Sequence, residues 1–219
     1  LIRRLRATFD LDADPDAINA RLHASFPLGD GLRVPGAMNG YELAVRAVLG
    51  QQITVRAART LTTRLAERLG DPLPCGIAGL DRLFPTPAAL AQAEPALLGE
   101  IGIVRQRQAA LQALARAVSG GTLALDESAD PQQAIRTLLS LPGIGPWTAQ
   151  YIAMRALRWP DAFPSGDVAL HKALGVQDCA HPQRAAEAAS ERWRPWRSYA
   201  VLRAWARLLP ERSTTLLKT

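Results

Sequence analysis

Lysine is nearly missing from this 219-residue chain, which has only Lys172 and Lys218. Covalent chemistry through an amine therefore has few candidates. Cysteine is as scarce. Cys75 and Cys179 stand too far apart to read as a metal-binding pair or a disulfide framework. The default expectation is a reducing, cytoplasmic setting. The three histidines, His23, His171 and His181, are too scattered for a metal triad, so no metal held by side chains is expected. No apolar run is long enough to span a bilayer, and no basic start followed by an apolar stretch marks an export signal. No membrane partner is expected. Strand-like alternation is scarce as well.

What is present points the other way. Hydrophobic residues make up 48% of the chain, which suits a folded protein with a sizeable core. The length allows one large domain or two small ones. Lys and Arg together outnumber Asp and Glu by 26 to 20, giving a net charge of +6. That excess favours a polyanionic partner. An Arg-rich composition without any partner would give the same charge. The first residue is Leu1 rather than Met, which reads as a piece of a longer protein.

Helix starts are clearly punctuated. Asp14-Pro15, Thr86-Pro87 and Asp130-Pro131 each place a capping residue before a proline suited to the first helical position. Asn39 followed by Glu42 resembles a capping box. The spacing predicts an all-α chain with helices over 15–25, 40–50, 54–69, 87–92, 95–100, 104–118, 131–140, 146–157, 168–174, 182–192 and 196–208. Segments 71–85 and 158–167 are rich in Pro, Gly and Asp and read as loops. Residues 101–105, Ile-Gly-Ile-Val-Arg, faintly echo a glycine turn found later in the chain.

That later turn is Leu141-Pro142-Gly143-Ile144-Gly145-Pro146-Trp147-Thr148-Ala149. Gly143 and Gly145 can take backbone angles closed to other residues, and they leave amide N–H groups uncovered. The helix that follows has unpaired N–H donors and a partial positive charge at its start. Thr148 adds a hydroxyl, and together these residues form a cradle for one phosphate. A Gly-x-Gly turn alone would read as an ordinary helix connection; the whole string does not.

Asp167 follows Trp147 by 20 residues, on the stiff turn Phe163-Pro164-Ser165-Gly166. Taken alone, it reads best as the N-cap of the next helix. A carboxylate beside a sugar can also stabilise positive charge developing at C1′, or activate water. With one carboxylate prominent, the favoured leaving group is one that needs no acid, such as a cationic alkylated base. Trp147 and Tyr151 lie four apart and share a helix face. Trp193, Trp196, Tyr199 and Trp205 gather near the end. Core packing is the usual role of such residues, and Trp193 and Trp196 are expected to serve it. The others can stack on a base swung out of a duplex. Gly50-Gln51-Gln52 interrupts two helices and, from spacing alone, reads as a plain turn.

Over nearly its whole length the chain resembles the helix-hairpin-helix DNA glycosylase superfamily, and most of all its bacterial 3-methyladenine DNA glycosylase II group. The strings that carry the likeness are Gly36 to Ala58, Phe84-Pro85-Thr86-Pro87, Leu141 to Ala149 and Trp193 to Ala200. The resemblance implies an all-helical, two-lobed fold: one lobe over 40–159, carrying the hairpin, the other over 1–39 and 160–219, carrying the acid. It implies Asp167 as the catalytic carboxylate. Gly143, Gly145 and Thr148 would grip phosphate, with a monovalent cation on the hairpin carbonyls. Trp147, Tyr151 and Trp205 would surround the base, and Gln52 would enter the duplex as a wedge. The implied activity is hydrolysis of the N-glycosidic bond of alkylated purines in double-stranded DNA, by a monomer. The chain departs from the family in having a polar wedge and in lacking the N-terminal β-rich domain. Lyase members carry Lys where Trp147 stands, so a Schiff-base route is not expected. A non-catalytic DNA-binding module built on the same hairpin is the alternative, in which Asp167 is only a cap. A helical scaffold that binds no nucleic acid is a third reading.

Overall fold

The structure, a computed structural model, describes residues 1–126 and 128–209. Among them are twelve α-helices and two short 3-10 turns, with no strand. The 71–85 loop is pinned by one isolated antiparallel bridge between Pro72 and Arg82. No helix among the described residues is long and apolar enough to cross a membrane.

The capping residues do what their positions predict. Asp14 accepts the N–H groups of Asp16 and Ala17 ahead of α2 (Pro15–Leu22). Thr86 and Asp130 each accept one N–H at the starts of α5 (Pro87–Ala91) and α8 (Pro131–Ser140). The capping box at Asn39 forms only by half. Asn39 accepts the Glu42 N–H at 3.0 Å, while the Glu42 carboxylate turns to Arg46. One helix has no counterpart in the sequence reading: α1, at Ile2–Thr8. None of its residues is buried, so no apolar periodicity announces it.

Two sets of helices emerge from the packing. In the first, α3 (Gly40–Leu49) contacts α4 (Val55–Leu69), α7 (Arg105–Ser119) and α9 (Pro146–Arg155). α7 also receives α5 and α6 (Pro95–Ile101), and α8 joins α9. In the second, α10 (Val168–Leu174) packs on α11 (Pro182–Ser190) and α12 (Arg197–Ala206), and α12 meets the 3-10 turn Pro27–Gly29. This is a two-lobed, all-α arrangement. We propose lobe boundaries at 39/40 and 159/160; residues 210–219, expected in the second lobe, lie outside the described residues.

Val48, Leu49, Leu111, Leu114 and Ile152 are fully buried at the centre of the first set. Trp193 anchors the second, packed on Phe26 with ring centroids 5.1 Å apart. Trp196 departs from expectation. It is half-buried, packed against the edge of the core rather than within it, and meets Tyr199 edge-on at 5.8 Å. Arg203 of α12 is buried and reaches the first 39 residues through Asp30 at 3.0 Å and Asn19 at 2.6 Å.

Candidate nucleic-acid interface and active site

The hairpin joins α8 to α9. Leu138 and Ile144 are buried and seat it on the core. Gly143 has φ +73, the left-handed region that favours glycine. A Cβ there would also stand 3.0 Å from the Ala110 Cβ. Gly145 differs. Its φ of −92 is open to any residue, which corrects the expectation of a forbidden angle, and a Cβ there would meet nothing within 4 Å. The protein does not need this glycine for its own packing. Its absent side chain leaves space beside an α9 N-terminus that has no side-chain cap.

Thr148 is a correction. Its expected role is a hydroxyl turned to phosphate, but the residue is 3% exposed. Its Oγ1 accepts the Gln51 amide at 2.9 Å instead. Buried and bonded to the α3–α4 corner, Thr148 helps to hold the hairpin rather than to face outward. The same Gln51 amide also donates to the Gly143 carbonyl at 3.0 Å. The Gln51 carbonyl in turn accepts from Arg107 of α7 at 2.7 Å. Gln51 thus fastens the α3–α4 corner both to the hairpin and to α7, which lie against each other at Gly143 and Ala110. The sequence reading passed over Gln51; the doubled glutamine after Gly50 was the available signal. Gln52 is exposed at the tip of this corner with φ +55, a strained position for a residue with a side chain.

For a cation on the hairpin carbonyls, the donors present are backbone oxygens. Gly143 already accepts the Gln51 amide, and Leu141 accepts the Ile144 N–H at 3.3 Å. Each carbonyl keeps a second lone pair, so the oxygens suit a monovalent ion. Among the described residues no group of three or more His, Cys, Asp or Glu side chains is placed to hold a metal ion.

The loop leading to Asp167 is tied down along its length. Asp161 is held by Arg197 at 2.8 Å. The Phe163 N–H donates to Gln150 Oε1 of α9 at 3.0 Å. The His171 ring nitrogen Nε2 lies 2.6 Å from the Ser165 carbonyl, and the loop closes on itself with the Asp167 N–H donating to Pro164. Asp167 ends up half-buried with three donors on its carboxylate. The Leu170 N–H and the Trp205 indole reach Oδ1 at 2.6 Å and 3.1 Å, and the Trp147 indole reaches Oδ2 at 2.7 Å. Asp167 is therefore the cap of α10 and also the meeting point of both lobes.

Trp147 and Tyr151 stack nearly parallel, 7° apart with centroids at 5.1 Å. Arg155 continues the ladder, its guanidinium 5.8 Å from the centre of the Tyr151 ring. The structure brings Asp167, Trp147, Tyr151 and Trp205 together. Gly143, Gly145 and Thr148 lie at the start of the same helix α9, and Gln52 lies next to Gln51 on the corner fastened to them.

A helical pair closed by a glycine turn, an acid delivered from a proline-rich loop and a second lobe define a family, and direct comparison supports it. The model of the HhH-GPD superfamily of base excision DNA repair proteins matches residues 45–198, and this chain belongs to that family. The model of the AlkA N-terminal domain matches residues 1–39. That corrects the expectation that this domain is wholly missing.

Within the family the chain is similar to particular proteins. It is 41% identical over 211 residues to a probable bifunctional transcriptional activator/DNA repair enzyme AlkA of Mycobacterium tuberculosis, covering 94% of this chain but 42% of the relative. It is 38% identical over 207 residues to DNA-3-methyladenine glycosylase 2 of Escherichia coli, covering 93% of this chain and 70% of the relative. The chain thus spans less than half of the mycobacterial relative. Among solved structures, a 3-methyladenine DNA glycosylase from Archaeoglobus fulgidus matches with a TM-score of 0.74 and 22% identity, over 94% of this chain and 73% of that one. MBOgg1 in complex with a low affinity DNA ligand matches with a TM-score of 0.76 and 19% identity, over 93% and 73%. These two likenesses establish the fold.

Proposed function

We propose that this chain is a DNA glycosylase that removes alkylated, cationic purines from double-stranded DNA by hydrolysis. The observation that carries the reading is the carboxylate of Asp167, held by an indole N–H from each lobe beside the Trp147–Tyr151 stack. A residue needed only as a helix cap would use the Leu170 N–H alone. Two further donors fix the direction of both oxygens, which a preorganised electrostatic role requires. This argues against the non-catalytic binding module.

The steps follow from the residues. Phosphate meets the uncapped start of α9, where Gly145 leaves room. Gln52 fills the gap that the displaced nucleotide leaves. The base rests against Trp147, since Tyr151 already has Trp147 and Arg155 as neighbours. The bond from C1′ to the base nitrogen breaks, and its electron pair leaves with the base, neutralising the base's charge. Asp167 stabilises the cation that forms at C1′. Water adds its oxygen to C1′ and releases a proton to Asp167 or to solvent.

The mode is monofunctional. Trp147 stands where an amine would be needed, and Lys172, the one lysine among the described residues, lies exposed on α10. A monovalent cation on the hairpin carbonyls would supply positive charge beside the phosphate. The acting unit in this reading is a monomer with the duplex as its partner. It works with DNA in the cytoplasm.

The test is Asp167→Asn. Release of 3-methyladenine or 7-methylguanine from methylated duplex should fall by at least about a hundredfold, while affinity for the duplex persists. Base release at the wild-type rate would refute the reading.

A further inference from the structure

Helix α4 leaves the Gln51–Gln52 corner almost bare of tertiary contact. Of its 15 residues only Thr62 and Leu65 are buried. Its main packing partners are α3 and α6, not the hairpin helices. Arg56, Arg59, Thr60 and Thr63 recur at helical spacing and lie exposed on one face, along a shallow open groove. Glu67 is the acid on that groove, and it stands at the end away from the corner. Arg105 adds exposed charge at the start of α7, close behind the α6 end that Arg64 reaches through the Ile101 carbonyl.

These arginines differ from others in the molecule. Arg46 has Glu42 one turn away, Arg68 has Glu100, and Arg197 has Asp161. None of the ion pairs among the described residues uses Arg56, Arg59 or Arg105. Arg116, Arg136 and Arg184 are without ion pairs among the described residues too, but only on α4 do two such arginines stand with threonines on one groove beside the Gln52 corner. Cations and hydroxyls without acids are the side chains that contact phosphate and sugar.

From this face and its position we infer that α4, through Arg56, Arg59 and Thr63, holds the backbone of the strand opposite the displaced nucleotide. The inference rests on the glycosylase reading above and adds a second strand to it. Gln51 supplies the geometry. Its amide reaches the hairpin at Gly143 and Thr148, and its carbonyl accepts from Arg107 of α7. The hairpin, which lies against α7 at Ala110 and Gln106, occupies one flank of the corner, and α4, whose main partners are α3 and α6, runs from the other. A duplex entered by Gln52 at the corner presents one backbone to each flank. The hairpin takes the damaged strand, and α4 takes its complement. Arg56 to Thr63 spans about 10 Å along the helix axis, room for about two phosphates.

The experiment compares wild type with the Arg56→Gln/Arg59→Gln double variant. Arg116→Gln, at the far end of α7, removes charge away from the corner as a control. Binding is measured over a salt series to a duplex carrying an abasic-site analogue, and to the same damaged strand alone. On the duplex, the slope of log affinity against log salt should fall by about 1.8 in the double variant. A fourfold rise in salt should then cost the wild type roughly tenfold more affinity than it costs the variant. Affinity for the single strand, and the slope of the Arg116→Gln control, should stay unchanged. Ethylation interference should place the contacted phosphates on the undamaged strand. An equal loss on the single strand would overturn the strand assignment, and an unchanged slope would overturn the surface. Base release by wild type on methylated duplex is read in parallel. Its absence would sink the role of Asp167 while leaving the slope result to stand or fall alone.

Discussion

The side-chain amide of Gln51 donates to the carbonyl of Gly143, 92 residues further along, at 3.0 Å. The same amide donates to the buried Thr148 hydroxyl. One side chain thus sets the distance between the corner that carries Gln52 and the turn that opens toward phosphate. Gln51→Met keeps the volume and removes both donors. It should cost about 1–3 kcal/mol of stability, because the Thr148 hydroxyl and the carbonyl lose a partner in a partly buried place. Gln51→Glu should cost more, since a carboxylate would face a carbonyl oxygen. Urea unfolding of both variants decides it, and equal stability of Glu and Met would count against the assignment.

The two hairpin glycines should separate folding from binding. Gly143→Ala forces a side chain into φ +73 and against Ala110. It should lower stability by about 1 kcal/mol or more. Gly145→Ala meets neither obstacle and should leave the thermal midpoint in place. Its methyl would stand in the space offered to phosphate, so DNA affinity should fall. Melting curves beside fluorescence anisotropy give both readings; a Gly145→Ala protein that melts early would show that the glycine serves the fold.

Replacing either indole beside Asp167 with phenylalanine keeps a ring and removes a donor. Trp147→Phe and Trp205→Phe should each slow base release by roughly tenfold to a hundredfold, the worth of a hydrogen bond to a charged group. Affinity for an uncleavable duplex should change little. Single-turnover rates with enzyme in excess isolate this step. If the rates stay at the wild-type level while binding collapses, the indoles act on the duplex and not on the carboxylate.

Arg203 joins the first 39 residues to α12 through Asp30 and Asn19. The bend at Gly29 lies against its stem, where a Cβ would come within 2.6 Å of the Arg203 Cγ. Arg203→Met keeps much of the stem but leaves Asp30 and Asn19 without their partner. A loss of about 2–4 kcal/mol is expected. Asp30 is partly solvated, with a third of its side chain exposed, which holds the figure below that of a fully buried pair. Chemical denaturation measures it, with proteolysis within residues 1–39 as a second readout.

Much of the helical layout was legible because local signals decide it. Asp14, Thr86 and Asp130 cap the helices that their prolines announce, since cap and proline act within one turn of chain. Helix α1 was not legible: with no buried face it carries no periodic pattern. Trp196 packs against the core but is only half-buried, because the depth of an aromatic side chain is set by neighbours that its own sequence does not name. Thr148 misled for a related reason. Its place in the first turn of α9 was correct, but the direction of its hydroxyl depends on Gln51, far off in sequence. Asp167 taken alone read best as a cap, and only the family resemblance implied an acid. It is a cap in fact, and only the two indoles arriving from α9 and α12 give it a second set of partners.

Composition, caps and the glycine string by themselves determined an all-helical chain, a turn with bare amides and an acid on a stiff loop. Those features depend on residues within a few positions of one another, where backbone sterics and local hydrogen bonds act. The tertiary structure alone decided which groups share a site. It brought Trp147, Trp205 and Asp167 together, turned Thr148 inward, made Gln51 the tie between corner and hairpin and left Arg56 and Arg59 of α4 without acids. Each of these is a contact, or a missing contact, between elements remote in the chain. Packing the lobes sets such distances, and no local pattern encodes them.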